Sequence, residues 1–100
     1  MSAEVFRNYI NGEWADGDHF ENRNPANTDE LVGLFAKATA ADVARAAEAA
    51  HAALPGWAGM PAPARGNLLF KVADILEKKF DQLGAEMTRE EGKTLPEAKG

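Results

Sequence analysis

The stretch "ARAAEAAHAA" at residues 44–53 constrains this chain more than any other, because seven of its ten residues are alanine. Alanine is the best helix former, yet its side chain buries little surface, so an alanine face must approach its neighbour closely. The whole chain has 20 alanines, whereas Leu, Ile, Val and Phe together supply only 19 of its 100 residues. That number lies at the lower edge of what sustains an independent core. We therefore expect a segment that packs its alanine faces against a larger body.

Charge and composition exclude several classes of function. The net charge is −5, with nine acids against four bases in residues 1–50 and seven of each in residues 51–100. Without a basic patch, binding to nucleic acid is not expected. Without cysteine there is no disulfide, thiolate metal site or thiol nucleophile. The start "MSAEVFRNYI" lacks the pattern of a secretory signal, and no apolar run approaches the roughly 20 residues that span a bilayer. We expect a cytoplasmic protein without a membrane partner.

Residues 6–38 predict a small meander of short strands. Asn11-Gly12 is the strongest hairpin signal, because both residues tolerate positive φ. Asp16-Gly17 marks a second turn. Residues 19–22 and 31–38 then predict two further strands. The chain is thus expected to begin with β-structure.

A first helix is predicted over residues 39–54. The Thr39 hydroxyl can cap its first turn, and Asp42 follows three residues later, as in a capping box. Four apolar residues recur at helical spacing on one face: Val43, Ala47, Ala50 and Leu54. Pro55-Gly56 is expected to end the helix, and Trp57 to anchor the following loop in the core.

Two more helices and the start of another are predicted in the second half. Residues 62–80 carry an apolar stripe, and residues 82–91 form a third helix that Asp81 caps and Gly92 ends. Pro96 and Glu97 mark the start of a further helix in residues 94–100. The fold class is therefore α/β, with short strands followed by amphipathic helices.

The tripeptide Gly92-Lys93-Thr94 resembles a phosphate-binding loop but does not meet its requirements. Such a loop needs a glycine five residues before Gly92, where this chain has Met87, and it needs a preceding strand rather than a helix. We interpret Gly92 as a helix C-cap with a lysine near the negative end of the helix dipole.

The remaining polar and aromatic candidates do not converge either. His19 and His51 are far apart and lack the acid–histidine spacing of a metal site. The carboxylates of Glu90-Glu91 point about 100° apart on a helix, so they cannot act on one substrate atom. Three aromatic residues are too scattered to form a stacking platform for bases: Trp14, Trp57 and Phe70. We therefore expect no catalytic, cofactor-binding or metal-binding residue in this chain.

An ordered set of short motifs nevertheless resembles a known family. "YINGEW", "NPAN…ELVG", "T-x-x-DV-x-x-A…AA", "PAPARGNLLFKVADILE" and "L-x-x-x-x-T-R-E-EGKTLPEA" follow one another over residues 6–100. In order and spacing they resemble the amino-terminal region of the aldehyde dehydrogenase superfamily. The chain looks most like the bacterial semialdehyde dehydrogenase branch, which includes succinate-semialdehyde and α-ketoglutarate-semialdehyde enzymes.

The resemblance implies that residues 1–100 are the N-terminal part of the cofactor-binding domain of a longer, homo-oligomeric enzyme, and are inactive alone. In such an enzyme a cysteine thiolate attacks the aldehyde, hydride passes to NAD or NADP, and a glutamate-activated water hydrolyses the thioester. The catalytic cysteine and glutamate come later than these residues. Some members hold a structural cation near the positions that match Asn22–Arg23 and Glu90. Here we expect Glu90 to be a plain surface acid.

Two alternatives remain open at this point. One is a complete, non-enzymatic interaction module of strands and helices, which the alanine-rich face of residues 43–54 favours because such a face needs a close partner. The other stays in the superfamily but transfers the acyl group to coenzyme A. No residue in this chain separates that chemistry from hydrolysis.

Overall fold

The computed structural model describes residues 3–100, in which five short strands precede four helices. The strands are β1 (Val5–Phe6), β2 (Asn8–Ile10), β3 (Glu13–Ala15), β4 (His19–Arg23) and β5 (Leu31–Ala36). The helices are α1 (Ala40–Ala58), α2 (Ala62–Lys78), α3 (Phe80–Glu91) and α4 (Leu95–Lys99). The predicted succession of strands and then helices is confirmed.

Strands β2 and β3 form the predicted hairpin around Asn11-Gly12. Asn11 has a φ of 52° and Gly12 a φ of 78°, so both turn residues are left-handed. This geometry matches the twist of the flanking strands and lets two residues close the turn. Tyr9 lies opposite Trp14, with ring centroids 4.8 Å apart. The hairpin forms a two-stranded sheet of its own.

The other three strands form a second sheet in the order β1-β5-β4, which differs from the predicted meander. β4 is antiparallel to β5, but β1 is parallel to it. The reason is a long-range contact: the Phe6 ring stacks on Phe35 at 4.7 Å between centroids. Gly33 makes room for that ring, because a Cβ there would lie 2.5 Å from it. Strand β1 therefore pairs with β5 rather than with its neighbour in sequence.

The N-terminus of α1 has the predicted capping box. The Thr39 amide donates to Asp42 Oδ2 at 2.8 Å, and the Asp42 amide donates to Thr39 Oγ1 at 3.2 Å. The bond from the Thr39 amide, and then the bond from the Arg45 guanidinium, hold the pKa of Asp42 below its ordinary value. These bonds satisfy donors that a helix start leaves free.

The predicted end of α1 at residue 54 is wrong, because the helix continues through Pro55 to Ala58. Proline removes only its own N–H, and the next turn re-forms: the Gly59 amide donates to the Pro55 carbonyl at 2.9 Å. Trp57 consequently lies on the helix, not in a loop. Its side chain is 43% exposed and does not anchor a core within the described residues.

Helices α2 and α3 meet at a single residue, Lys79, whose amide still donates to the carbonyls of Ile75 and Leu76 at 3.1 Å. Because the backbone remains bonded across this joint, α3 begins at Phe80, earlier than predicted. Asp81, the predicted cap, lies inside the first turn of α3. Its carboxylate pairs with Lys99 of α4 at 2.9 Å.

A network of three side chains, here called the α3 clasp, joins the last turns of α3 to the sheet: Asn24, Glu30 and Arg89. Asn24 is buried, and its Nδ2 donates to Glu30 Oε2 at 3.0 Å. Arg89 Nε donates to Glu30 Oε1 at 2.6 Å, and Arg89 Nη2 donates to the Leu31 carbonyl at 3.4 Å. The bond from Asn24 and then the bond from Arg89 lower the pKa of Glu30. The carboxylate is therefore held in its charged form.

Gly92 ends α3 beside the clasp, as predicted. Its φ is 83°, and its amide donates to the Thr88 carbonyl at 2.8 Å. A Cβ at this position would lie 2.9 Å from Pro25 Cγ and 3.2 Å from the Ala26 nitrogen. Glycine thus allows both the left-handed cap and the close approach of α3 to the 24–26 turn.

We predict that Gly92→Ala lowers the free energy of unfolding of the protein by about 1–2 kcal/mol, the cost of a left-handed alanine. Gly66→Ala is the matched control. Gly66 lies inside α2, and nothing surrounds its Cβ direction within 4 Å, so this change is expected to be neutral or to stabilise by up to about 1 kcal/mol. Hydrogen exchange of the α2 and α3 amides in the complete polypeptide measures both as local free energies of unfolding. Equal effects of the two substitutions would contradict the role of Gly92.

We also predict that the α3 clasp loosens in acid. The pKa of Glu30 in the folded protein lies below the ordinary value of 4.5. The stabilisation is therefore present above pH 4.5 and is lost as the pH falls through the folded value. The measurement is hydrogen-exchange protection of the Asn24 and Glu30 amides as the pH falls.

Glu30→Gln, which is neutral at every pH, should flatten this acid response. Glu21→Gln is the control, because Glu21 pairs with Arg23 at 3.1 Å on the strand side and belongs to no α3 contact. If Glu30→Gln kept the wild-type pH dependence of protection, the clasp would not be its source.

Candidate functional site

The end of β4 and the last turn of α3 meet next to the α3 clasp. There Asn22 Nδ2 donates a hydrogen bond to Glu90 Oε2. Glu90 is exposed, and this bond turns it toward the "NRNP" strand end. The contact spans 68 positions of sequence. It brings together the positions that the family resemblance associates with a structural cation.

These residues do not by themselves make a cation site. A hard cation takes six or more oxygen ligands. Glu90 offers one carboxylate, and Asn22 presents its amide N–H rather than an oxygen to it. Within residues 3–100, no three His, Cys, Asp or Glu side chains cluster as metal ligands. The hydrogen bond thus gives Glu90 a structural role, in which it reinforces the clasp.

An apolar groove of about 530 Å³ lies between α3 and the sheet, on the side of the clasp. Apolar side chains from both elements line it: Phe6, Val32, Phe35, Leu83 and Met87. Charged side chains also border it, namely Glu4, Glu86, Arg89 and Glu90. The lining contains no histidine and no hydroxyl or thiol nucleophile. The groove is therefore a surface suited to packing rather than to catalysis.

The helices carry a larger apolar surface. Among residues 3–100, no apolar side chain is buried. Val43 on α1 is 62% exposed, and Phe70 on α2 is 71% exposed. Further apolar residues of the two helices are also exposed: Leu54 on α1, and Leu69, Val72, Ile75 and Leu76 on α2. Monomeric proteins rarely expose apolar patches this extensive, so such faces mark sites of contact with other protein.

The Gly92-Lys93-Thr94 tripeptide contributes to helix ends, not to a phosphate site. Lys93 Nζ lies 3.5 Å from Glu91 Oε2. Thr94 precedes α4, and its hydroxyl donates to Glu97 Oε2 at 3.2 Å. The three residues follow helix α3 rather than a strand, so the arrangement that cradles phosphate is not formed.

The structure leaves the other sequence candidates apart from one another. His19 lies in β4 and His51 in α1, on separate elements. Trp14 pairs with Tyr9 in the hairpin, whereas the other two aromatics, Trp57 and Phe70, belong to different helices. No catalytic constellation arises among them.

Sequence reasoning missed the α3 clasp. A local signal for its first half exists in "NPANTDE", because Asn before Pro often opens an Asx turn, and the Ala26 amide does donate to Asn24 Oδ1 at 2.9 Å. The second half had no local signal, since Arg89 lies 59 positions from Glu30.

Among residues 3–100, no helix is both long and apolar enough to cross a bilayer.

Comparisons with known proteins agree with one another. The family model described as the aldehyde dehydrogenase family matches residues 14–100. The chain is 45% identical over 99 residues to an α-ketoglutaric semialdehyde dehydrogenase of Bacillus subtilis. The match covers 96% of this chain and 20% of that protein. It is 42% identical to a glutarate-semialdehyde dehydrogenase of Pseudomonas aeruginosa, with 98% of this chain and 21% of that protein covered.

A solved structure shows the same fold. It is a Sinorhizobium meliloti 1021 protein in complex with NAD, described as a methylmalonate-semialdehyde dehydrogenase, with a TM-score of 0.86 and 33% identity. The match covers 99% of this chain and 21% of that one. The chain thus spans about a fifth of the length of these relatives. Since the family model covers most of the chain and the shared fold nearly all of it, the chain belongs to the aldehyde dehydrogenase family.

Proposed function

We propose that residues 1–100 form the N-terminal part of the cofactor-binding domain of an aldehyde dehydrogenase and serve there as a packing element. The observation that carries the proposal is the match of 99% of this chain to only 21% of a solved relative. The exposed apolar faces of α1 and α2 support it, because a larger body would cover them. The α3 clasp would hold α3 in place against the sheet.

The reaction proposed for the whole protein is oxidation of an aldehyde that also carries a carboxylate. The names of the relatives support this substrate class, since α-ketoglutarate, glutarate and malonate semialdehydes all combine the two groups. NAD is the proposed cofactor, because the solved relative binds it, and it would accept the hydride. NADP is the alternative.

The catalytic groups of the proposed reaction lie outside this chain. The family resemblance implies a cysteine nucleophile and a glutamate base, and residues 1–100 contain no cysteine. The contribution of these residues is to hold shape rather than to move a proton or a hydride. We further propose a homo-oligomer, which rests on the family resemblance alone, and a cytoplasmic location, which rests on the sequence pattern.

The competing interpretation as a complete interaction module has one specific observation against it. A self-sufficient module of 100 residues would bury apolar side chains of its own. In the described part of the chain Asn24 is the buried polar residue, and no buried apolar residue accompanies it. The apolar surface instead faces outward along α1 and α2.

We predict that residues 1–100 expressed alone unfold broadly in urea, bind a hydrophobic dye and reduce no NAD in the presence of an aldehyde. The reason is that the exposed apolar faces of α1 and α2 would have no further protein to cover them. Far-UV circular dichroism, dye fluorescence and nicotinamide absorbance measure these properties. A sharp, cooperative urea transition without dye binding would instead support the self-sufficient module.

We predict that the complete polypeptide oxidises glutarate semialdehyde with NAD in preference to pentanal, which matches its chain length but lacks the carboxylate. The ratio of the two kcat/KM values should be on the order of tenfold or more, since a hydrogen bond to a charged group contributes about 1.5–3 kcal/mol. The measurement is the absorbance of reduced nicotinamide, with NAD and with NADP.

The same assay with and without coenzyme A separates hydrolysis from acyl transfer. Equal rates with glutarate semialdehyde and pentanal would refute the proposed substrate class while leaving the aldehyde oxidation intact. Absence of reaction with every aldehyde and either cofactor would refute the activity itself.

A further inference from the structure

The β2–β3 turn combines two features that give it a chemistry of its own. Asn11 is followed by glycine, the residue whose backbone nitrogen is least hindered. The other asparagines are followed by side chains or by proline, which lacks an N–H: Asn8 by Tyr, Asn22 by Arg, Asn24 by Pro, Asn27 by Thr and Asn67 by Leu. Asn11 and Gly12 are both exposed, and nothing lies closer than 4.0 Å to the Cβ direction of Gly12.

We propose that Asn11 is a site of spontaneous deamidation whose rate is set by opening of the hairpin. The Gly12 nitrogen attacks Asn11 Cγ, so that an N–Cγ bond forms, the Cγ–NH₂ bond breaks and ammonia leaves. Water then opens the resulting five-membered imide at either carbonyl, which yields aspartate or isoaspartate. Water is the only co-reactant, and no oxidant or reductant takes part.

The closed turn opposes this reaction. The left-handed φ values of 52° at Asn11 and 78° at Gly12 close the two-residue turn between Ile10 and Glu13. Ring closure needs a different rotation about the Asn11 Cα–C bond, which brings the Gly12 nitrogen onto the side-chain carbonyl. The imide therefore forms from the opened turn, and the closed hairpin slows the reaction.

Few contacts keep the hairpin closed, so it slows the reaction only weakly. The hairpin is a two-stranded sheet of three-residue strands, separate from the three-stranded sheet. Tyr9 and Trp14, its cross-strand pair, are 62% and 66% exposed. A space of about 500 Å³ lies where the hairpin faces α1, lined by Ile10 and Trp14 on one side and Ala49 on the other. Two-stranded hairpins are marginal in water and open locally.

The two products differ in their effect on the fold. Aspartate preserves the main chain, and Asp-Gly also fits the same turn type. Isoaspartate adds a methylene group to the main chain, so a two-residue turn can no longer hold Ile10 opposite Glu13. Both products add a negative charge beside Glu13. Modification thus converts a closed hairpin into one with a broken register in a fraction of the molecules.

The test is incubation of the complete polypeptide at mildly alkaline pH, native and in urea, followed by peptide mass mapping. The expected result is that OH replaces NH₂ in the Asn11 peptide and raises its mass. This change should be faster in urea than in the native protein. Fragmentation of the peptides should place the change at Asn11 alone and leave Asn8, Asn22, Asn27 and Asn67 unchanged over the same period. Asn11→Gly fits the turn, lacks the amide and should abolish the gain.

Trp14→Ala tests the control by the hairpin, because it removes the contact with Tyr9 without changing the reacting atoms. It should raise the native rate on the order of two- to tenfold, the equivalent of one aromatic pair, and leave the rate in urea unchanged. A native protein that stays unmodified while the urea sample converts fully would overturn the proposal. So would equal rates in the two conditions, or a native rate that Trp14→Ala does not change.

Discussion

The bond between Arg89 and Glu30 in the α3 clasp is the interaction on which the arrangement of strands and α3 depends. An exposed ion pair alone stabilises little, because water screens it. Here the Glu30 carboxylate also accepts from the buried Asn24, and Arg89 also reaches the Leu31 carbonyl. Several directional bonds therefore fix one geometry, and Gly92 lets α3 come close enough to form them. Specific orientation, rather than a large free energy, is what this joint supplies.

The rest of the segment buries no apolar side chain of its own among residues 3–100. The sheet and α3 hold each other through polar bonds, and the Phe6–Phe35 stack joins β1 to β5 within the sheet. Apolar residues of α1 and α2 are exposed. Such a division suits a piece of a larger domain, in which the hydrophobic contribution comes from contacts between segments. It also explains why an alanine-rich helix is retained: a face of small side chains lets another element approach closely.

Features that rest on neighbouring residues could be predicted from the sequence. The Asn11-Gly12 turn, the Thr39–Asp42 capping box and the Gly92 cap each involve only a few consecutive residues. The effect of Pro55 was mispredicted because the rule that proline ends a helix considers only the hydrogen bond that proline lacks. The other hydrogen bonds of the 19-residue helix α1 remain, and the helix continues. The parallel pairing of β1 with β5 and the bond between Asn22 and Glu90 join distant residues, for which no local pattern exists.

The α3 clasp also sets an order of events during synthesis. Glu30 leaves the ribosome 59 residues before Arg89, which at about 5–20 residues per second is roughly 3–12 s. Over that interval the Glu30 carboxylate can accept from Asn24 but lacks Arg89, while the residues of α1 and α2 are synthesised. The helical half is thus built before it is attached. Attachment comes with the last turn of α3, so a pause in translation before residue 89 would leave the two halves of the segment unjoined.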